Sequence, residues 1–120
     1  MAAARTTAQP SAQLLAELTA LSSEIERAAI VDASGVVLAA IPLTEGERLA
    51  SGARELLDAA PRSGGSVEYL EVGLASGSVF VAQVDGRLAV ATTGPEPASA
   101  LVLHDLRSAL QRLATGAGRA

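Results

Sequence analysis

The side chains that could perform chemistry in this sequence are few. The chain of 120 residues contains no cysteine and no lysine. Thiol catalysis, iron–sulfur ligation, Schiff-base chemistry and the phosphate-binding lysine of a P-loop are therefore excluded. The single histidine, His104, cannot form a HExxH pair or a multi-histidine metal site on its own. We predict no metal site and no cofactor, and we expect His104 on the exposed side of a helix.

One enzymatic alternative remains, a hydrolytic site that uses Ser76 or Ser78 with His104. Serine hydrolases usually place the nucleophile in a recognisable turn such as GxSxG, and the sequence has no such motif. With only one tyrosine and one phenylalanine, an aromatic-lined substrate pocket is also hard to build. We therefore expect a protein that acts by contact with other proteins and is not an enzyme.

The charge pattern bears on the partners of the chain. The formal net charge is −4, and the nine arginines are scattered among thirteen acidic residues. No contiguous basic surface is available for a phosphate backbone, so we do not expect nucleic acid as a partner. The longest apolar run, Val36 to Ile41, is far shorter than the ~18 residues of a membrane span. The first residues lack the apolar run of a signal peptide, so we expect a cytoplasmic protein without membrane insertion.

The first half of the chain reads as helix, hairpin, helix. Ser11 can cap a first helix with a leucine stripe on one face. Two apolar runs then flank the segment Asp32-Ala33-Ser34-Gly35, which predicts a β-hairpin. Thr44 and Glu47 stand in the relation of a capping box and open a second helix, which Pro61 ends.

The second half reads as three strands and a helix. Residues 67–72 form a β-prone run that carries two glutamates and looks like an edge strand. Two apolar runs surround Asp85-Gly86, the strongest hairpin signal in the chain. Pro97 suits the first position of a last helix with its own leucine stripe. We predict one domain over residues 11–114, between a disordered lead of residues 1–10 and a disordered tail of residues 115–120.

The predicted fold is α+β in the order α-β-β-α-β-β-β-α, with a five-stranded antiparallel sheet and helices on both faces. Four strands are apolar at successive positions, so both faces should be covered. We expect the first and last helices on one face and the middle helix alone on the other. Five strands at ~4.8 Å spacing are about 20 Å wide, whereas a helix is about 10 Å in diameter. The middle-helix face should therefore keep exposed apolar surface, which usually marks an interface.

Residues 28–39 and the small-residue second helix are similar to the Roadblock/dynein light chain family. The likeness extends over Leu14 to Leu113 and is strongest to the bacterial branch, typified by the gliding-motility GTPase-activating protein. The resemblance implies a homodimer in which the middle helices pack together and the third strands meet edge to edge. It also implies a regulatory or scaffold function toward a small Ras-like GTPase, whose nucleotide cycle it would modulate.

Specific residues suit these two contacts. Small residues of the middle helix allow close approach, Leu57 could anchor the contact from outside the intramolecular stripe, and residues 67–70 favour strand addition. The predicted dimer interface comprises Ala50, Ala53, Arg54, Leu57, Val67 and Tyr69. Two alternatives stay open: alanine is simply abundant, and Glu68 and Glu71 are charges that discourage edge pairing.

Three arginines could contact the GTPase. Arg48 and Arg54 lie on the middle helix and Arg62 just beyond it, where one of them could act as an arginine finger. The plainer interpretation is that they are solvated surface charges. A different functional alternative is a small-ligand sensory domain, in which the sheet and the middle helix enclose the ligand.

Overall fold

The computed structural model describes the backbone of residues 2–59 and 68–119 and the side chains of residues 11–59 and 68–113. Its helices and strands follow the predicted order. They are α1 (Ala2–Leu21), β1 (Ile25–Val31), β2 (Val37–Ile41), α2 (Gly46–Ala59), β3 (Tyr69–Leu74), β4 (Gly77–Val84), β5 (Arg87–Thr93) and α3 (Ser99–Arg119), with a 3-10 turn at Leu43–Glu45.

The strands form one antiparallel sheet in the spatial order β2-β1-β5-β4-β3. Helices α1 and α3 pack on one face, and α2 packs on the other. Both the α+β class and the expected layering are confirmed. Strand β3 lies at one edge of the sheet, as predicted for the third strand, and β2 lies at the opposite edge.

Both predicted hairpins are present. In the first, Oδ1 of Asp32 accepts hydrogen bonds from the Ser34 amide, the Ser34 hydroxyl and the Val36 amide at 2.9, 2.7 and 2.9 Å. These bonds close the turn between β1 and β2. In the second, Asp85 and Gly86 both have positive φ angles, 52° and 82°. Two such residues match the twist of the flanking strands β4 and β5.

The ends of the chain differ from the prediction. Helix α1 begins at Ala2, so Ser11 is a buried residue inside the helix and not its cap. Residues 2–10 are rich in alanine, the strongest helix former, and this propensity extends the helix through Pro10. The backbone of residues 115–119 likewise continues α3, and the disordered lead and tail stay a prediction. The boundaries of the functional domain stay a prediction.

Helices α2 and α3 also begin at different residues from those predicted. Thr44 lies inside the 3-10 turn that precedes α2, so it is not the residue that caps this helix. The predicted capping box of Thr44 and Glu47 is therefore wrong. Helix α3 begins two residues after Pro97. The free amide of Ala98 there donates to the Glu24 carboxylate at 3.0 and 3.2 Å. A carboxylate from a distant turn thus caps this helix, a pairing that local spacing does not reveal.

The sheet separates two apolar cores. The larger core lies under α1 and α3 and is centred on Phe80, Ile30, Leu106 and Leu110. The smaller core lies under α2 and contains Ala29, Val31, Leu49, Ala53, Leu57, Val81, Leu88 and Val90. Because α2 makes its main contacts with β1, β2 and β5, it covers only one half of its face of the sheet.

Candidate interaction surface

Helix α2 uses one side to close the smaller core. Its buried residues are Gly46, Leu49, Ala53 and Leu57, at the spacing of a helical stripe. Leu57 is only 8% exposed and belongs to this stripe. The expectation that Leu57 lies outside the intramolecular stripe is therefore wrong. Within a single subunit, Leu57 holds α2 on the sheet because it completes the i, i+4, i+8 row with Leu49 and Ala53.

The half of the sheet beyond α2 carries an open apolar surface. The register pairs Val72 with Val79 and Leu70 with Val81, so these side chains share the α2 face. Leu70, Val72 and Val79 are only half-buried, and Leu74, on the same face by strand alternation, is 59% exposed. We call these four residues, Leu70, Val72, Leu74 and Val79, the open half of the α2 face.

Strand β3 presents different chemistry on its two sides. Tyr69 pairs with Ala82 and Glu71 pairs with Phe80, so both point toward α3 and away from α2. Tyr69 is 53% exposed. The prediction assigned Tyr69 to strand addition at this edge, and the structure places its side chain on the face of the sheet opposite α2. A strand alternates its side chains between faces, and so Tyr69 and Leu70 cannot serve the same face.

The outer edge of β3 continues the open half of the α2 face. On its inner side β3 pairs with β4, and the ladder extends to the Glu68 carbonyl, which accepts a bond from the Gln83 amide at 2.8 Å. An edge strand carries backbone groups that can pair with another strand. Of the two glutamates that could discourage such pairing, Glu71 accepts a hydrogen bond from the Ser99 hydroxyl at 2.7 Å. Its charge is thereby held over α3 rather than over the edge.

The remaining residues of the predicted interface lie in varied positions. Ala53 is buried beneath α2, Ala50 is half-buried and Arg54 is exposed. A Cβ added at Gly52 would meet nothing within 4 Å, so the outer side of α2 has room for close approach there. Val67 lies outside the described residues. The interface itself stays a prediction.

The arginines proposed to contact a GTPase are exposed where the structure describes them. Arg48 lies on the outer side of α2, with Nη1 at 3.9 Å from Oε1 of Glu45. Arg54 is also exposed, and Arg62 lies outside the described residues. Exposed guanidinium groups on the free side of a helix are available to a partner, and they are equally compatible with solvated charges.

The structure adds no support for the hydrolytic alternative. Ser76 lies in the exposed turn between β3 and β4, Ser78 is buried in the sheet, and His104 is exposed on α3, as expected. Within residues 11–59 and 68–113, whose side chains the structure describes, no group of three or more possible metal ligands occurs. No helix in this part of the chain is long and apolar enough to cross a membrane.

Asp32 is the described group with a clear pKa shift. Its hydrogen bond from the Ser34 side chain, followed by that from the Val36 amide, holds the pKa of the carboxyl below its usual value. The cause is local, because both donors belong to the same turn. This shift is a consequence of the turn that Asp32 closes.

The element order, the strand order and the layering of the helices match the fold of known Roadblock/LC7 domains. Among solved structures, the Roadblock/LC7 domain from Streptomyces avermitilis has this fold, with a TM-score of 0.75 at 19% identity, over 86% of this chain and 93% of that chain. The gliding protein MglB from Thermus thermophilus matches with a TM-score of 0.67 at 19% identity, over 95% of this chain and 93% of that one.

The likeness extends beyond these two structures. LokiProfilin2, solved in complex with rabbit actin, matches with a TM-score of 0.60 at 14% identity, over 84% of this chain and 92% of that chain. No protein-family model matches the sequence, and no curated protein matches it. At these identities the comparisons establish the fold, and the resemblance to the Roadblock/dynein light chain family is confirmed at that level.

Sequence reasoning missed two parts of the surface. The first is the open half of the α2 face. The alternation of a strand puts Leu70, Val72 and Leu74 on one face of the sheet and Tyr69 on the other, and this pattern could have been used to find that surface. The second is Arg107, a half-buried residue of α3 whose guanidinium carbon lies 5.8 Å from the centroid of the Tyr69 ring. No motif marks Arg107, because its neighbour is distant in the sequence.

Proposed function

We propose that this chain is a homodimeric regulatory or scaffold module that binds a small Ras-like GTPase and modulates its nucleotide cycle. It would act in the cytoplasm, by contact and without catalysis of its own. The observation that carries the proposal is the open half of the α2 face, which continues into the outer edge of β3, where no other strand pairs among the described residues. Apolar surface beside an open strand edge is suited to a second copy of the same sheet.

The geometry of this surface supports the proposed dimer. Pairing of two β3 edges would satisfy the free backbone groups of both strands and extend two sheets into one. In a two-fold arrangement the same patch meets itself, so Leu70, Val72 and Leu74 of one copy would lie against α2 or β3 of the other. Gly52 leaves the outer side of α2 open for this approach. A structure of MglB with a tetrameric arrangement shares the fold, which supports self-association as a property of such modules.

The GTPase partner is supported by the resemblance of the sequence to the bacterial GTPase regulators and by the fold shared with MglB. The exposed arginines of α2 offer positive charge on the side of the helix that faces away from the core. An arginine could stabilise the phosphates directly or could hold the GTPase in place. The two roles are separable, because the first affects hydrolysis and the second affects binding.

The proposal is tested by binding and hydrolysis measured together. Candidate Ras-like GTPases, loaded with a GTP analogue or with GDP, are passed over the immobilised chain, and single-turnover GTP hydrolysis is measured with and without it. We expect nucleotide-dependent retention and a changed rate. Arg48→Ala or Arg54→Ala should weaken retention, whereas Arg112→Ala, an exposed arginine of α3, serves as the matched control. Equal retention of both nucleotide forms, or none, with all candidates contradicts the regulatory part of the proposal.

The sensory alternative predicts a different behaviour. A ligand enclosed between the sheet and α2 would have to displace the contacts of Leu49, Ala53 and Leu57, which are buried there. A ligand-dependent rise in melting temperature in a chain that stays monomeric would favour this alternative.

A further inference from the structure

A groove runs between the edge strand β3 and α3, on the face of the sheet opposite α2. Its volume is about 480 Å³. Residues of α3 at helical spacing line one wall, and the Tyr69 ring lines the other. Ala100 and Leu103 make part of the wall apolar, while His104, Arg107 and Ser108 supply polar groups. The lining is therefore mixed, and polar groups that converge beside apolar surface are a feature of small-molecule sites.

Arg107 is the charged group of this groove. Its Nε atom is buried from solvent and, within the residues that the structure describes, has no hydrogen-bond partner. The guanidinium is held near the Tyr69 ring, at 5.8 Å from the centroid. A buried donor of a charged group without an acceptor is unfavourable. Because Nε has no accessible surface, the Nη groups are the donors of Arg107 that remain for an acceptor in the groove.

The chemistry of that acceptor follows from the guanidinium. The two Nη groups of a guanidinium carry N–H bonds that point in parallel and match two oxygens of a carboxylate or a phosphate. On the same face of β3, Glu71 is engaged by the Ser99 hydroxyl. Glu68 and Asp85 line a separate cavity of about 390 Å³ that also reaches Arg107. An incoming anion must therefore approach from the Tyr69 side, where the walls carry no carboxylate.

We propose that the groove between β3 and α3 binds a small organic anion, whose carboxylate or phosphate is held by Arg107 and whose apolar part lies against Tyr69, Ala100 and Leu103. The chain carries a net charge of −4, so long-range attraction does not assist binding and direct contact must provide the affinity. The site goes beyond the proposed function. It lies on the face of the sheet opposite the open half of the α2 face.

The test is a titration of the full chain, labelled with ¹⁵N, followed by amide NMR shifts. The probes are benzoate, phenyl phosphate, inorganic phosphate and the neutral benzyl alcohol, at matched ionic strength. We expect saturable shifts at residues 69 and 100–108 with the aromatic anions and little response to benzyl alcohol. A preference between benzoate and phenyl phosphate identifies the head group, and a response to inorganic phosphate alone contradicts the role of the apolar wall.

Two variants assign the site to Arg107. Arg107→Gln should lower the affinity for the anion at least about tenfold, since a charge-assisted pair is lost. Arg107→Lys keeps the charge but lacks the paired N–H geometry, so it should also lower the affinity for the anion. Arg112→Gln is the matched control, because Arg112 lies on the same helix and pairs with Glu17 at 3.3 Å.

The test of the anion site can be read independently of the test of the dimer. The far-UV spectrum and the melting temperature establish that each variant is folded. Equal affinity in the wild type and in Arg107→Gln, or shifts that do not saturate, overturns the proposal. Light scattering of the same samples reports the oligomeric state, so loss of the anion site and failure of the dimer are distinguished.

Discussion

Leu74→Glu is the substitution that probes the open half of the α2 face most sharply. Leu74 is 59% exposed in the single chain, and in the proposed dimer that exposed part becomes buried. Full burial of a leucine side chain is worth about 1.5–3 kcal/mol, so the remaining fraction corresponds to roughly 1–2 kcal/mol. A two-fold interface contains the residue twice, which gives about 2–4 kcal/mol for the dimer. Introducing two carboxylates raises the loss further.

The expected effect on association is large. A loss of about 2–4 kcal/mol corresponds to an increase in the dimer dissociation constant by a factor between about 30 and several hundred. Sedimentation equilibrium over a concentration series measures this constant directly. Leu101→Glu is the matched control, because Leu101 is 62% exposed but lies on α3, on the other face of the sheet. We expect the control to associate like the wild type.

Two results would refute the reasoning. If Leu74→Glu and the wild type have the same dissociation constant, the open half of the α2 face is not the contact. If Leu101→Glu weakens association as strongly as Leu74→Glu, the contact lies elsewhere or the effect is one of net charge. Melting curves of both variants exclude loss of fold as the cause.

Three further predictions concern the single chain. Leu57→Ala should lower the free energy of unfolding by about 2–5 kcal/mol, because the side chain is buried under α2. Urea unfolding of a monomeric variant, with and without this substitution, measures the difference. A difference near zero contradicts the burial of Leu57. Gly77→Ala should lower the melting temperature by several degrees, since the new Cβ would collide with the Thr93 carbonyl oxygen, and an unchanged melting temperature excludes this packing. Asp32→Ala should destabilise the chain at neutral pH, because the folded-state pKa of Asp32 is lowered. The difference is fully present above the unfolded-state pKa of aspartate and is lost as the pH falls through the folded-state pKa, so urea unfolding with no pH dependence of this difference contradicts the turn geometry.

The local signals of the sequence were sufficient to predict the strands of the sheet and the layers of helices on its two faces. Asp32 and the Asp85-Gly86 pair specify turns through their own backbone and side-chain geometry, so the hairpins could be placed without tertiary information. The apolar runs on both faces of the strands then required helices on both sides. The start of α1 was misplaced because Ser11 and Pro10 resemble a boundary, while the alanines before them continue the helix.

The site was harder to predict because it depends on how elements are placed relative to one another. Whether Leu57 faces the sheet or a second copy is set by the rotation of α2, which a stripe of alanines and leucines does not determine. The face of Tyr69 is set by the register of β3 against β4. Arg107 becomes notable only once α3 brings it to Tyr69 and removes its Nε from solvent.

The central claim is that a second copy of the chain covers the open half of the α2 face and the edge of β3. Multi-angle light scattering of the purified chain at micromolar concentration tests it most directly. The account predicts twice the mass of a single chain, and a mass that falls to that of one chain in Leu74→Glu but not in Leu101→Glu. A wild-type chain that has the mass of one copy throughout this concentration range would contradict it.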